Sequence, residues 1–413
     1  MAHFLSRRGA LLAAFGSAAG MAAFGFGSFA ADAGSFRRGV SIWPWFGLTR
    51  EYPAPSRDYA WPPFQPDRTQ PTAADLVRLR ASHFDFIRIP LDAGPFIALR
   101  GQQRAELFAQ LEQAMKLAFA ADLAVILNPQ PNEAALFWNA RQFIDDGRDG
   151  SFGDYREFIV ALVGLAKRAA PRLVAVELFN EPPTTCASPE WMARQATLLR
   201  DARGVAPDVK LILTGGCGGM VAGLEALDPP EAKDPHVLYN FHFYEPYVFS
   251  HQGAVWMTEE PMYRYLRDVP WPASSGDERA TRDAAVARIG SDARLKPAER
   301  DGIVAATEHA LAQYFAGDPG PAYIRSFFAK IVGWREKHGV EARRVLLGEF
   351  GATKFSAAPD RARYLRDVRM AAEENGFPWA FWNLFDVMGL TVDDHGRALD
   401  PELLAALGIG PER

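Results

Sequence analysis

Residues 174–183 read Val174-Ala175-Val176-Glu177-Leu178-Phe179-Asn180-Glu181-Pro182-Pro183. A short β-branched and aromatic run that breaks into polar residues and then prolines has the form of a buried strand whose end opens on solvent. Seven other runs share this form, at 39–43, 84–89, 124–127, 210–214, 237–242, 345–348 and 379–384. Between them lie segments with apolar residues at helical spacing, at 103–121, 155–169, 191–202, 323–338 and 360–375. Strands alternating with helices predict a parallel α/β sheet. An open doubly wound sheet also reaches eight strands. Closure is favoured because polar and aromatic residues crowd the C-terminal strand ends, where a barrel carries its active site. No G-x-G-x-x-G or Walker fingerprint follows the first strand. The expected fold is therefore a (β/α)8 TIM barrel.

Two connections exceed ordinary length. Residues 49–70, rich in proline and aromatics, follow strand 1. Residues 250–320 follow strand 6 and contain two helical patterns, at 279–289 and 298–315. Both leave C-terminal strand ends, so both are expected to rise around the catalytic mouth, with 250–320 over the active-site face. At the N-terminus, Arg7 and Arg8 precede an Ala- and Gly-rich apolar run, and Ser28 and Ala30 offer a cleavage site. This pattern predicts a signal peptide over 1–30 and a single catalytic domain over 31–413. Ser6-Arg7-Arg8 resembles a twin-arginine signal, with Sec export as the alternative. The expected location is periplasmic or extracellular, with no membrane anchor after cleavage and a monomeric chain.

Loss of Arg7 and Arg8 takes the formal charge from −5 to −7, which favours neither nucleic acid nor an anionic membrane as partner. The two cysteines, Cys186 and Cys217, exclude a disulfide scaffold or a four-cysteine zinc site. They are either one disulfide or two small buried side chains. His242, Glu245 and His251 lie close in sequence but lack metalloprotease spacing, and no G-x-S-x-G elbow occurs. No metal or cofactor is expected.

The chemistry lies at two strand ends. Strand 4 closes on Asn180-Glu181-Pro182, and strand 7 on Gly348-Glu349-Phe350-Gly351. Glycoside hydrolysis needs such a pair, one group to protonate the departing oxygen and one to attack or stabilise the sugar carbon. Strand ends 4 and 7 face one another closely enough for a separation of about 5 Å, the retaining geometry. Glu177 lies four residues deeper and reads as a buried, paired structural carboxylate. Arg88, within Phe86-Ile87-Arg88-Ile89-Pro90, must be paired, and an arginine beside a carboxylate keeps it ionised and oriented. His242 and Tyr244 stand two apart and share a face. Asn180 suits a sugar 2-hydroxyl and Trp382 a sugar platform.

Together, Arg88, Asn180-Glu181-Pro182, His242-x-Tyr244, Gly348-Glu349-Phe350-Gly351 and Trp382 resemble glycoside hydrolase family 5, the cellulase family, over about residues 36–410. The resemblance implies a (β/α)8 barrel and a retaining double displacement. It implies Glu181 as acid/base and Glu349 as nucleophile, with Arg88, Asn180, His242, Tyr244 and Trp382 in support. Members of that family commonly carry a histidine after strand 3, whereas this chain has Asn128-Pro129-Gln130-Pro131, with Gln130 or Asn128 in its place. A glutamine still bonds a hydroxyl but does not titrate.

Trp43, Trp45 and Trp61, with Trp256 and Trp271 in the long insertion, are candidates to stack pyranose rings. An extended cleft of that kind favours an endo-β-1,4-glucanase on polysaccharide. A β-mannanase, or an exo-acting β-glucosidase or β-1,3-glucanase, is the alternative. A non-catalytic glycan-binding protein of a polysaccharide export system is the alternative of another class.

Overall fold

The computed structural model describes residues 36–131, 134–145, 150–229 and 232–409. The predicted signal peptide at 1–30 lies outside the described residues. Eight parallel strands close into a barrel. They are β1 (Arg38–Ser41), β2 (Phe86–Leu91), β3 (Ala124–Pro129), β4 (Val174–Glu177), β5 (Lys210–Thr214), β6 (Val237–Phe243), β7 (Val345–Phe350) and β8 (Trp379–Phe381). Each pairs with its neighbour in sequence, and β1 closes the ring against β8. The TIM-barrel expectation is met in strand count, order and direction. Helices Gly101–Ala120, Ser151–Arg168, Pro189–Val205, Pro321–His338 and Ala358–Glu374 coincide with the segments of helical spacing.

The interior follows from the two-residue period of a strand. Phe86, Ile126, Ala175, Ile212, Leu238 and Leu346 form an apolar floor capped by Phe36. Gly39 leaves room for that floor, since a Cβ there would lie 2.2 Å from the Phe86 ring. Two residues further along the same strands stand Arg88, Asn128, Glu177, Thr214, Asn240 and Gly348. A layer of hydrocarbon therefore supports a layer of buried polar groups, and the mouth lies above both.

One irregularity aims a side chain. The pairing of β6 with β7 runs Phe241↔Leu347 and then His242↔Glu349, so β7 has one residue more than its partner at Gly348. A bulge bends the strand and redirects the side chains beyond it. Here it sets Glu349 opposite His242. The residue at the bulge is glycine because the side-chain amide oxygen (Oδ1) of Asn240 occupies the space, 2.1 Å from where a Cβ would stand.

The connections give two results that the spacing does not foretell. Within 49–70, Thr49–Glu51 and Tyr59–Phe64 pair as an antiparallel ribbon. In the 250–320 segment, Trp271 is fully buried, packed on Phe249 and Tyr364, with its indole N–H donated to Asp367 at 2.9 Å. It fastens the insertion to the helix at Ala358–Glu374 and is no sugar platform. Trp45, another of the stacking candidates, is a core residue against Phe46. Among the described residues no helix is long and apolar enough to cross a membrane.

Cys186 and Cys217 form a disulfide, with Cα atoms 4.5 Å apart, joining the loop after β4 to the turn after β5. It closes a loop 31 residues apart in sequence. Restricting the unfolded chain over that span contributes about 3–4 kcal/mol. Cys186→Ser is expected to lower unfolding stability by that amount, read from urea titration with midpoint and slope both fitted, since release of the crosslink expands the unfolded chain and steepens the slope. A midpoint insensitive to both the substitution and reductant excludes the role.

Candidate active site

Arg88 organises the site. It is fully buried and distributes its donors to three partners, as its rigid fork allows. Nε donates to Glu177 at 3.0 Å, Nη1 to Glu349 at 2.5 Å and Nη2 to the Asn180 carbonyl at 2.7 Å. Burial works against its charge, but Glu177 and Glu349 outweigh that and hold its pKa above the ordinary value.

Glu177 lies below the mouth as a hub. Besides Arg88 it accepts from Asn128 at 2.9 Å, Thr214 at 3.2 Å and Asn240 at 2.8 Å. A fully buried carboxylate met by four donors is a structural anion, as its depth in the strand implies. It offsets Arg88, so that Glu349 shares the cation with it and is not fully neutralised.

The two strand-end carboxylates differ in setting. The Glu349 side chain is 4% exposed, bonded by Arg88 on one oxygen and by the Tyr244 hydroxyl on the other at 2.9 Å. The Glu181 side chain is 40% exposed and meets Nδ1 of His242 at 2.6 Å. Oxygens of the two carboxylates and a ring nitrogen of His242 all lie within 4.8 Å of one another. Among the described residues this is the group of acidic and histidine side chains close enough to share an ion. Glu245 and His251, near His242 in sequence, are not part of it.

Burial and charge shift the pKa values of two neighbours. Burial and the charges of Glu349 and Glu181 push the Tyr244 phenol far above its usual range, so it remains a donor. Burial disfavours a charged His242, whereas Glu349 and the Glu181 bonded to it favour one more strongly, so its pKa is raised. The Asn180 carbonyl is committed to Arg88 and to Asn128 at 3.3 Å, leaving its NH2 as the remaining donor.

Of the residues singled out from sequence, Arg88, Asn180, Glu181, His242, Tyr244 and Glu349 converge into one bonded cluster. Trp382 and Trp43 are half-buried and make no bond to it. Gln130 donates its backbone N–H to Leu91, and its side-chain oxygen has no partner among the described residues. Asn128, the other occupant considered for that place, sits beneath the mouth on Glu177. Asn240 and Thr214 are site residues that no motif announces, although their two-residue spacing from Leu238 and Ile212 marks them as interior polar groups.

Beside Tyr244 an aromatic row leads outward. Tyr247 stacks on His251 at 4.6 Å, and His251 meets Trp256, which is 47% exposed. Burial lowers the His251 pKa from 6.5 to about 4. Between those values the unfolded chain binds a proton that the folded chain does not, so stability falls as pH drops through that window. The loss is about 3 kcal/mol once the pH is below the folded value. His251→Phe is expected to remove this component, measured as the difference between urea midpoints at pH 7 and pH 4. An unchanged difference rejects the assignment.

Residues 51–386 match the cellulase family, glycosyl hydrolase family 5. Endoglucanase 3 of Fibrobacter succinogenes is 25% identical over 239 residues, covering 57% of this chain and 32% of that protein. Cellodextrinase A of Ruminococcus flavefaciens is 24% identical, covering 73% of this chain and 75% of its own length. The chain thus spans about a third of the first relative and three quarters of the second. Cellulose synthase subunit Z from Clostridioides difficile shares the fold, with a TM-score of 0.63 and 19% identity over 90% of this chain and 99% of its own. Thermotoga maritima Cel5A, solved in complex with cellobiose, has a TM-score of 0.62 and 18% identity over 90% and 97%.

Proposed function

The chain belongs to the cellulase family, glycosyl hydrolase family 5; from that premise we propose that it is a glycoside hydrolase acting on O-glycosyl bonds, a retaining endo-β-1,4-glucanase. The observation that carries this reading is the carboxylate pair, with oxygens of Glu181 and Glu349 within 4.8 Å. Retaining enzymes hold their carboxyl groups about 5–5.5 Å apart, whereas inverting enzymes need roughly 6.5–9.5 Å to admit a water.

Glu349 is the nucleophile. Arg88 and Tyr244 fix both of its oxygens, so one orientation is held without reorganisation during attack. Glu181, on the more open side, donates its proton to the glycosidic oxygen as the bond to C1 breaks and Glu349 bonds C1. It then takes a proton from the water that displaces Glu349, returning the anomeric configuration. The Asn180 NH2 meets the 2-hydroxyl, a contact that strengthens as C1 gains positive charge. Trp382 provides a ring face at the cleaved sugar, Trp43 lies beside the mouth, and Gln130 supplies a neutral contact to a hydroxyl.

Trp256 and the Tyr247–His251 stack extend an aromatic track beyond the cleavage point, which supports action within a polymer. The apolar leader supports action outside the cytoplasm on polysaccharide. A second reading, service in a polysaccharide export system, is supported by the likeness to the cellulose synthase subunit. The intact carboxylate pair favours a hydrolytic part there over mere binding.

The test is incubation with β-1,4-gluco- and manno-oligomers, following new reducing ends and the anomeric configuration of the first product by NMR. Internal cleavage of glucan with a β-anomer formed first is expected. Binding without cleavage of either polymer rejects the enzymatic reading, and an α-anomer rejects the double displacement.

A further inference from the structure

A general acid 2.6 Å from an imidazole nitrogen faces a hazard. If Nδ1 is bare, the Glu181 proton is drawn to it and away from the leaving group. The same outcome arises if the ring takes the proton outright, and the carboxylates of Glu181 and Glu349, the latter 3.7 Å from Nδ1, attract positive charge to the ring. Arg88 opposes that charge from below. The occupant of the other ring nitrogen decides the matter, because both unproductive states place a hydrogen on Nε2.

Nε2 lies 3.0 Å from the side-chain nitrogen of Asn240. The amide orientation is set by a third group. The same nitrogen lies 2.8 Å from Glu177, an anion already held by Arg88, Asn128 and Thr214. Turning the amide would press its oxygen against that carboxylate. Its two hydrogens therefore go to Glu177 and to Nε2, and the carbonyl oxygen faces the space left by Gly348. An Nε2–H would meet an amide N–H head-on.

We propose that Asn240, oriented by Glu177, is a positioning residue that locks His242 as the neutral Nδ1–H tautomer and so disarms it as a base toward Glu181. His242 then only donates, to one Glu181 oxygen, in both halves of the reaction. The Glu181 proton stays on its other oxygen, facing the glycosidic bond. After transfer, the same Nδ1–H supports the carboxylate that activates water. This rests on Glu181 being the acid/base.

The ring nitrogens of 15N-histidine-labelled protein test the lock directly, with His242 assigned by loss of its signals in His242→Gln. Where the ring carries a single proton, on the alkaline side of its raised pKa, wild type is expected to show a protonated Nδ1 and a bare Nε2; a lone hydrogen on Nε2 there overturns the proposal. Asn240→Asp preserves shape but presents an acceptor, and Asn240→Ala removes the donor. Each is expected to protonate Nε2. Each is also expected to slow hydrolysis of a gluco-oligomer by about 10²-fold. The first-turnover release of dinitrophenolate from a dinitrophenyl glycoside, whose leaving oxygen needs no proton, stays within about twofold. Equal losses on both substrates indicate a merely structural residue and overturn the proposal. The spectra read the tautomer without turnover, so they stand apart from failure of Glu181 as acid.

Discussion

Glu349→Ala abolishes turnover: kcat on gluco-oligomers falls by at least about 10⁴-fold, equivalent to some 5–6 kcal/mol of barrier. KM changes little by comparison. The residue is buried and touches Arg88 and Tyr244, and in the proposed nucleophile role it contributes chiefly once C1 has gained charge. Loss is expected for activated and unactivated substrates alike, because either leaving group departs in the step in which the nucleophile bonds C1. Azide that enters the space left by the side chain attacks C1 from that same face. The product is an inverted α-glycosyl azide and never a retained one. Folding is not at issue, since Arg88 keeps its bonds to Glu177 and Asn180. Retention of full activity, or a retained azide product, removes Glu349 from the nucleophile role.

Glu181→Ala produces a different pattern. Substrates with poor leaving groups, such as unsubstituted oligomers, lose about 10³–10⁴-fold, near the upper end of what a positioned proton donor contributes. Dinitrophenyl glycosides form the glycosyl-enzyme nearly as before and then stall, because no base activates water. Added azide relieves that stall and gives a retained β-glycosyl azide. The contrast with Glu349→Ala is in product stereochemistry as well as rate, so one experiment separates the two roles. Equal losses across leaving groups argue against Glu181 as the acid.

Much of the architecture is legible along the chain. A strand buried on both faces must be apolar, and a helix packed outside it must show one apolar side, so 174–179 and its counterparts stand out without any knowledge of pairing. Strand ends differ by a few residues. The apolar run of strand 4 extends through Phe179 where β4 stops at Glu177, and that of strand 7 ends at Gly348 where β7 continues to Phe350. Terminal ladder bonds depend on neighbouring strands and have no local signature. The tryptophans divide for a similar reason. Trp256 and Trp271 look alike in sequence, yet one is exposed and the other holds the insertion to a helix through Asp367, 96 residues away.

The carboxylate pair that anchors the proposed reaction is visible in the sequence, because each Glu follows an apolar run that must end at the mouth. Glu177 is recognisable as a structural anion from its depth alone. Hidden from view is the polar layer that governs them. Asn240, Thr214 and Asn128 come from three different strands and meet only because barrel closure brings those strands to one interior level. The bulge at Gly348 exists to admit the Asn240 side-chain amide oxygen, a demand made by a residue 108 positions earlier. The sequence by itself determined the strands, their order and the two acids at their ends, since burial and periodicity are local properties. Only the tertiary structure decided which groups meet each acid, since that depends on distances near 3 Å between groups no local pattern connects.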